Sequence, residues 1–304
     1  MVISYRGNSG IKFRKTLSYN DAAHILDHLI IIIYFRNPKS ISFSHFICLD
    51  EIFSVPLHPK IKMAIKYDSS VNVLGSIPDY SSMMDFICEY MGRMPDGQGS
   101  FSFRTHKTFT RFLAAIKTAI LTFANDRHKQ LFLDALSSKE FSYQEKLMVL
   151  YWQIVYGNLL FRRISEEVFM QAVYQGRTTL SALDVLALLH HIKETEKGEF
   201  NWSEATLKIC ASKYLTILKK LGLADGAIRK QILYPPMTSQ LFAYFIRMAM
   251  EMFPAQNSLD NPMMVFSFYD KTSLIAKLKR IEFMPFWNIT QIGDEVRIEV
   301  REKE

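Results

Sequence analysis

The sequence predicts a mainly α protein: a helical bundle with winged helix-turn-helix character plus a small C-terminal α/β hairpin unit. Three observations predict it. Apolar residues recur at helical spacing through the middle of the chain. Serines and glycines break that pattern into short helices with short joints, as in a bundle. The period changes to strand-like alternation only near the end, where Trp287, Ile289 and Gln291 face Val296, Ile298 and Val300 across Gly293-Asp294. With 304 residues, 49% of them hydrophobic, the chain has enough material for a sizeable core and more than one domain. We divide it into an N-terminal helical and irregular region (1–100), a helical bundle (101–200), a winged-helix-like segment (201–254) and a small α/β unit (255–304).

In order, residues 1–19 are polar and basic and read as an arm or edge strand. A helical pattern starts at Asp21 (Ala22, Ala23, Leu26, Leu29, Ile30, Ile33) and breaks at Asn37-Pro38. Residues 39–100 are punctuated by Pro56, Pro59, Gly75, Pro78, Gly92 and Pro95 and read as an irregular, partly helical insert. A short helix falls at 83–91 and a linker at 95–100. Phe109, Phe112, Leu113, Ile116, Ile120 and Phe123 then mark a strong helix, with Lys107, Arg111 and Thr118 opposite them and Arg104 in line. Further helices follow at about 128–137, 142–156, 165–174 and 181–192, with Ser142, Ser165 and Ser181 as N-caps and Gly157 and Gly176 as stops.

Residues 200–236 carry the strongest functional signal. Ser203 stands at an N-cap, and Leu207, Cys210, Ala211, Tyr214, Ile217, Leu218 and Leu221 form one arc, with Gly222 as the stop. Lys208, Ser212, Thr216 and Lys219 form the opposite arc. After Asp225-Gly226, residues 227–234 have the composition of a strand with a basic wing tip at Arg229 and Lys230. A further helix is expected at 239–252, a strand at 264–269, a helix at 272–281 and then the terminal hairpin. This tail reads as a second small α/β or winged unit, its Lys271, Lys277, Lys279 and Arg280 offset by acids.

The formal net charge is +7, and residues 101–120 and 201–230 each carry +4, so the rest is near neutral. Two basic helices on a neutral body favour an acidic polymer as partner. Three scattered cysteines, Cys48, Cys88 and Cys210, indicate neither a disulfide framework nor a zinc site. The N-terminus has no apolar signal core, and the aliphatic run at 29–35 is too short to span a bilayer. A cytoplasmic protein without membrane contact is expected.

No catalytic constellation emerges. His24 and His28 share helical spacing, but the HExxH glutamate is absent between them, so a helix face is the simpler reading. His190-His191 point in different directions. No nucleophile elbow, Walker loop or complete GxGxxG occurs, and no cofactor or metal is expected. Arg162 and Arg163 form either a phosphate clamp or, more simply, an exposed pair neutralised by Glu166 and Glu167. Phe109, Phe112 and Phe123 share the arc of Leu113, Ile116 and Ile120 and so belong to the core, not to a base-stacking platform.

Three segments resemble a known family: FSFRTHKTFTRFLAAIKTAI at 101–120, LMVLYWQIVYGNLLFRRISEEVF at 147–169 and NWSEATLKICASKYLTILKKLGL at 201–223. Their order is similar to that in the BrxA-type proteins of bacteriophage-exclusion (BREX) systems, over roughly residues 101–250. The resemblance implies a mostly helical, non-enzymatic protein with winged helix-turn-helix character that binds double-stranded DNA and supports phage defence. Residues 36–100 and 255–304 look like additions to the family pattern. Under this reading Lys208, Ser212, Lys213, Thr216, Lys219 and Lys220 lie in or beside the major groove. Arg229 and Lys230 of the wing, with Arg104, Lys107 and Arg111 of the earlier helix, contact phosphates. Lysine predominates over the side chains that make bidentate base contacts, which favours positioning over base readout. The alternative is a protein-protein adaptor of a defence or regulatory complex, using Phe286, Trp287 and Ile289 of the tail.

Overall fold

A computed structural model of the chain describes the backbone of residues 2–6 and 12–16, and residues 67–93, 105–196, 200–293 and 295–301 in full. The helix expected from Asp21, most of the 39–100 insert and the linker at 95–100 lie outside these residues. The chain forms two compact units, residues 1–63 and 64–304. In the first, β1 (Val2–Arg6) and β2 (Lys12–Thr16) form an antiparallel hairpin with Val2 opposite Thr16 and Arg6 opposite Lys12.

The second unit is mainly helical. It begins with α1 (Ser70–Leu74) and α2 (Tyr80–Tyr90), which order part of the expected irregular insert. Asp79 caps α2, its carboxylate accepting from the Ser81 and Ser82 N–H groups. Then come α3 (His106–Ala119), α4 (Asp126–Ser137) and α5 (Tyr143–Gly157), capped by Thr105, Asn125 and Ser142. At α5 Ser142 and Glu145 close a capping box, as the S-x-x-E spacing demands.

The helix α5 is buried on every side from Leu147 to Val155, so it forms the axis of the core. Trp152 Nε1 donates to the Phe266 carbonyl at 3.1 Å, fastening the tail to that axis. Gly157 lets α5 end directly against α3, since a Cβ there would collide with the Ala119 carbonyl.

A long helical stretch follows as α6 (Leu159–Ile164), a π turn (Ser165–Met170) and α7 (Gln171–Tyr174). The chain then runs through β3 (Thr179–Leu180), α8 (Ala182–Thr195), α9 (Glu204–Lys220), β4 (Ala224–Asp225) and β5 (Lys230–Ile232). The three strands form one antiparallel sheet in the order β3-β5-β4. The strand expected over 227–234 is therefore shorter: residues 227–229 make a turn entered through Gly226 at φ 102°, and pairing begins at Lys230.

The tail comprises α10 (Ser239–Met252), a 3₁₀ turn (Met264–Ser267), α11 (Lys271–Leu278), a 3₁₀ turn (Ile281–Phe283), β6 (Trp287–Ile292) and β7 (Glu295–Val300). The strand expected at 264–269 is a correction. A short apolar run does not by itself distinguish strand from helix. Here Met264 and Phe266 bury into the core, and Phe268 turns the chain at φ 63°.

Candidate nucleic-acid interface

The two basic helices α3 and α9 share a neighbour, the short α1. Its end approaches α9 closely, because a Cβ on Gly75 would lie 2.7 Å from the Lys213 carbonyl oxygen. Lys213 is half-buried at this joint. Lys220 uses its ammonium to hold α1, donating to the Gly75 carbonyl at 3.1 Å and to the Ile77 carbonyl, with Tyr80's ring 5.7 Å away. Burial, and to a lesser degree Lys213, lowers its pKa. Lys220 is thus a helix-end clasp.

The exposed face of α9 carries Glu204, Lys208, Ser212 and Lys219. Lys208 lies 3.8 Å from Glu204, while 64% of its side chain faces solvent. His190 Nε2 lies 2.9 Å from the other Glu204 oxygen, tying α8 to α9. The Thr216 hydroxyl donates to the Ser212 carbonyl at 2.9 Å. Beneath this face Tyr214 meets Ser165 of the π turn at 3.1 Å, so the helix is anchored to the stretch before β3.

The turn between β4 and β5 is braced. Lys219 bonds Asp225 at 2.8 Å, and buried Lys230 donates to the Gly226 and Ala227 carbonyls at 2.6 and 2.7 Å. What the turn presents to solvent is Ile228, 89% exposed, and Arg229. Of the expected wing contacts, Arg229 is outward and Lys230 is internal.

On α3, Lys107 and Arg111 are exposed, and Arg104 lies outside the described residues. Opposite them Phe112 is buried and Phe109 half-buried, both edge-on to Phe86 at 5.4 and 6.2 Å, which places them in the core as expected. Phe123 packs on His128 and Phe132.

Sequence reasoning missed the role of Arg162. It donates to the Val155 and Tyr156 carbonyls at 2.9 and 2.6 Å and closes the end of α5. Arg163 binds Glu167 at 2.8 Å, the Tyr67 hydroxyl at 2.5 Å and Glu196. Both guanidiniums therefore have internal partners. Trp287 corrects the apolar tail patch: it is buried, stacked on Phe283 at 5.1 Å, with Nε1 donating to the Leu278 carbonyl at 2.9 Å. Cys88 and Cys210 are buried and free, and burial pushes the Cys210 thiol up to about 12. Among the described residues no group of acids, histidines and cysteines is placed to hold a metal ion. No helix among them is long and apolar enough to cross a membrane.

The basic helix α3, the core axis α5 and the α8–α9 pair all fall within residues 100–248, which match the BrxA family model. Through this region the chain belongs to the BrxA family. Membership of the BrxA family implies a component of a BREX phage-defence system. The match ends inside α10, so the tail from Ala249 onward lies outside the BrxA region. No curated protein and no solved structure matches the chain.

Proposed function

We propose that this BREX component is a non-enzymatic double-stranded DNA-binding protein, and that residues 159–232 are its winged helix. The observation that carries the reading is the order of parts: a helix, β3, α8, α9 and the β4–β5 hairpin, with β5 central in a three-stranded sheet. Under this reading α9 is the second helix of a helix-turn-helix, the one that enters a major groove, with the β4–β5 turn as its wing. Lys208 and Ser212 on α9, Arg229 on the wing, and Lys107 and Arg111 on α3 are exposed cations or hydroxyls available to phosphates. Lys220 and Lys230 support the reading indirectly, since their charges hold the helix joint and the wing in shape.

The test is binding to a random-sequence duplex across a salt series. Steep salt dependence is expected, and Lys208→Glu with Arg229→Glu should weaken binding and make the log-log slope shallower by about 2, since each phosphate left without its cation removes roughly 0.9. Absence of binding at low salt by a protein with native circular dichroism would sink the proposal.

The adaptor reading retains one support. Beside the tail, Leu131, Phe141, Ala243, Tyr244, Phe283 and Phe286 line a cavity of about 440 Å³. A partner captured in high salt and released by Phe286→Asp would favour it.

A further inference from the structure

One half-buried guanidinium is left without a partner. Arg247 stands on α10, which lines up Gln240, Tyr244, Arg247 and Glu251 along one face at helical spacing. Glu251, one turn on, is the expected partner, yet it faces Arg127 at 4.0 Å instead. Among the described residues Arg247 has neither an ion pair nor a hydrogen bond. Holding a guanidinium partly out of water with no anion beside it is costly.

Two cavities meet at Arg247. The first, of about 440 Å³, is the apolar one walled by Phe141, Ala243, Tyr244, Phe283 and Phe286. The second, of about 430 Å³, is lined by Arg127, Gln130, Asp134, Glu251 and Arg301. Leu131 and Arg247 belong to both, so the two make one trough between α4, α10 and the tail. At Ala243 the small side chain leaves the apolar end open. Tyr244 stands beside it, edge-on to Phe141 at 5.2 Å, with its hydroxyl buried and unpaired.

The carboxylates along the trough are already engaged. Asp134 pairs with Arg93 at 3.0 Å and accepts from Gln130, and Glu282 accepts from the Ser239 hydroxyl with Arg280 at 3.9 Å. Arg301 donates to neutral Asn288 and has no acidic partner among the described residues. Arg247 and Arg301 therefore leave positive charge uncompensated beside an aromatic hollow.

We infer that this trough docks an acidic segment of a partner protein, with a large apolar side chain in the aromatic end and carboxylates on Arg247 and Arg301. Guanidinium forks accept carboxylates in bidentate geometry, and a buried apolar anchor beside them is the usual make-up of an interface hot spot. A duplex offers phosphates but no large apolar group for the hollow between Phe141 and Phe286. The segment supplies the partner of the adaptor reading, on which the inference rests, and it is independent of duplex binding through α9.

Selection from a library of random peptides of about 12 residues, roughly 40 Å when extended, tests this on the full chain. Enriched peptides should pair a large apolar residue with Asp or Glu. In fluorescence anisotropy, Arg247→Glu/Arg301→Glu and Phe286→Ala should each weaken their binding about tenfold or more, with native circular dichroism. Lys208→Glu/Arg229→Glu should leave it within about twofold. Absence of enriched peptides, enriched peptides without acids, or equal binding by the folded trough variants would overturn the inference. So would displacement of the peptide by a random duplex, which would assign the arginines to DNA. A partner protein held through Phe286 but indifferent to Arg247→Glu/Arg301→Glu would keep the adaptor reading and sink the acidic segment alone.

Discussion

At the scale of single residues, charge in this chain is divided between outward and inward work. Lys220 and Lys230 have the same sequence neighbourhood as Lys208 and Arg229, yet each commits its ammonium to main-chain carbonyls. Lys220→Met should cost about 1–3 kcal/mol in urea unfolding, because buried carbonyls lose a charged donor. The folded variant should keep its affinity for DNA within about twofold, which a binding titration would check. His128 shows a second inward use. It is fully buried, its Nδ1 accepts from the Ala124 N–H at 3.2 Å, and its Nε2 lies 2.8 Å from Gln153 Oε1. Gln153 in turn donates to the Ile120 and Thr122 carbonyls at 2.6 and 2.9 Å, joining the end of α3 to α4 and α5. Burial lowers the imidazole pKa from 6.5 to about 4, against the Gln153 hydrogen bond, so the ring is neutral in the folded protein. Between those values the unfolded chain holds more protons, so stability falls as pH drops through this window, by roughly 3 kcal/mol in all. Urea midpoints measured from pH 7 to pH 4 should show this loss, and His128→Gln should flatten it.

At the scale of elements, the joints are made by glycines and caps. Gly157 gives the tightest approach to backbone, and Gly157→Ala should push α5 from α3 at a cost of about 1–3 kcal/mol, visible as a lowered thermal midpoint. The α5 capping box does two jobs. Glu145 closes the box with Ser142, and its other oxygen accepts from the Thr238 hydroxyl at 2.7 Å, itself the N-cap of α10. Ser142→Ala should cost about 1 kcal/mol by loss of the cap. Glu145→Ala should cost more than Ser142→Ala, because two helix starts lose a partner; paired urea melts would decide the order.

At the scale of the molecule, residues 64–304 form one core around α5, and both hairpin units are built on it. The tail is fastened by Trp152 to Phe266 and by the Tyr174 hydroxyl, which donates to the Val265 carbonyl at 2.6 Å. A chain so tied should unfold as a single cooperative transition through residues 64–304. Near-UV and far-UV circular dichroism melts should coincide; a separate early transition that disappears on truncation before Asn257 would show the tail to be independent.

What was legible in the sequence was local. Helical spacing marked α3, α5, α9 and α10, the serines at 142, 181 and 203 stood at true N-caps while Ser165, expected as a fourth, lies inside the helical stretch that starts at Leu159, and the alternation at 287–300 marked the terminal hairpin. These signals survive because a helix face or a strand face repeats with its own period, whatever it packs against. The two-residue strand β3 has no period to read, and Met264–Ser267 is too short for one to decide. The inward roles of Lys220 and Arg162, the bridge from Ser258 to β7 and the burial of Trp287 depend on partners brought near by packing, some more than a hundred residues away in sequence. By itself the sequence determined where the longer helices lie, the serine caps of three of them, and that two of them are basic. Only the tertiary structure decided which of those basic side chains remain free, because a long flexible ammonium or guanidinium goes to whichever carbonyl the packed core leaves unsatisfied.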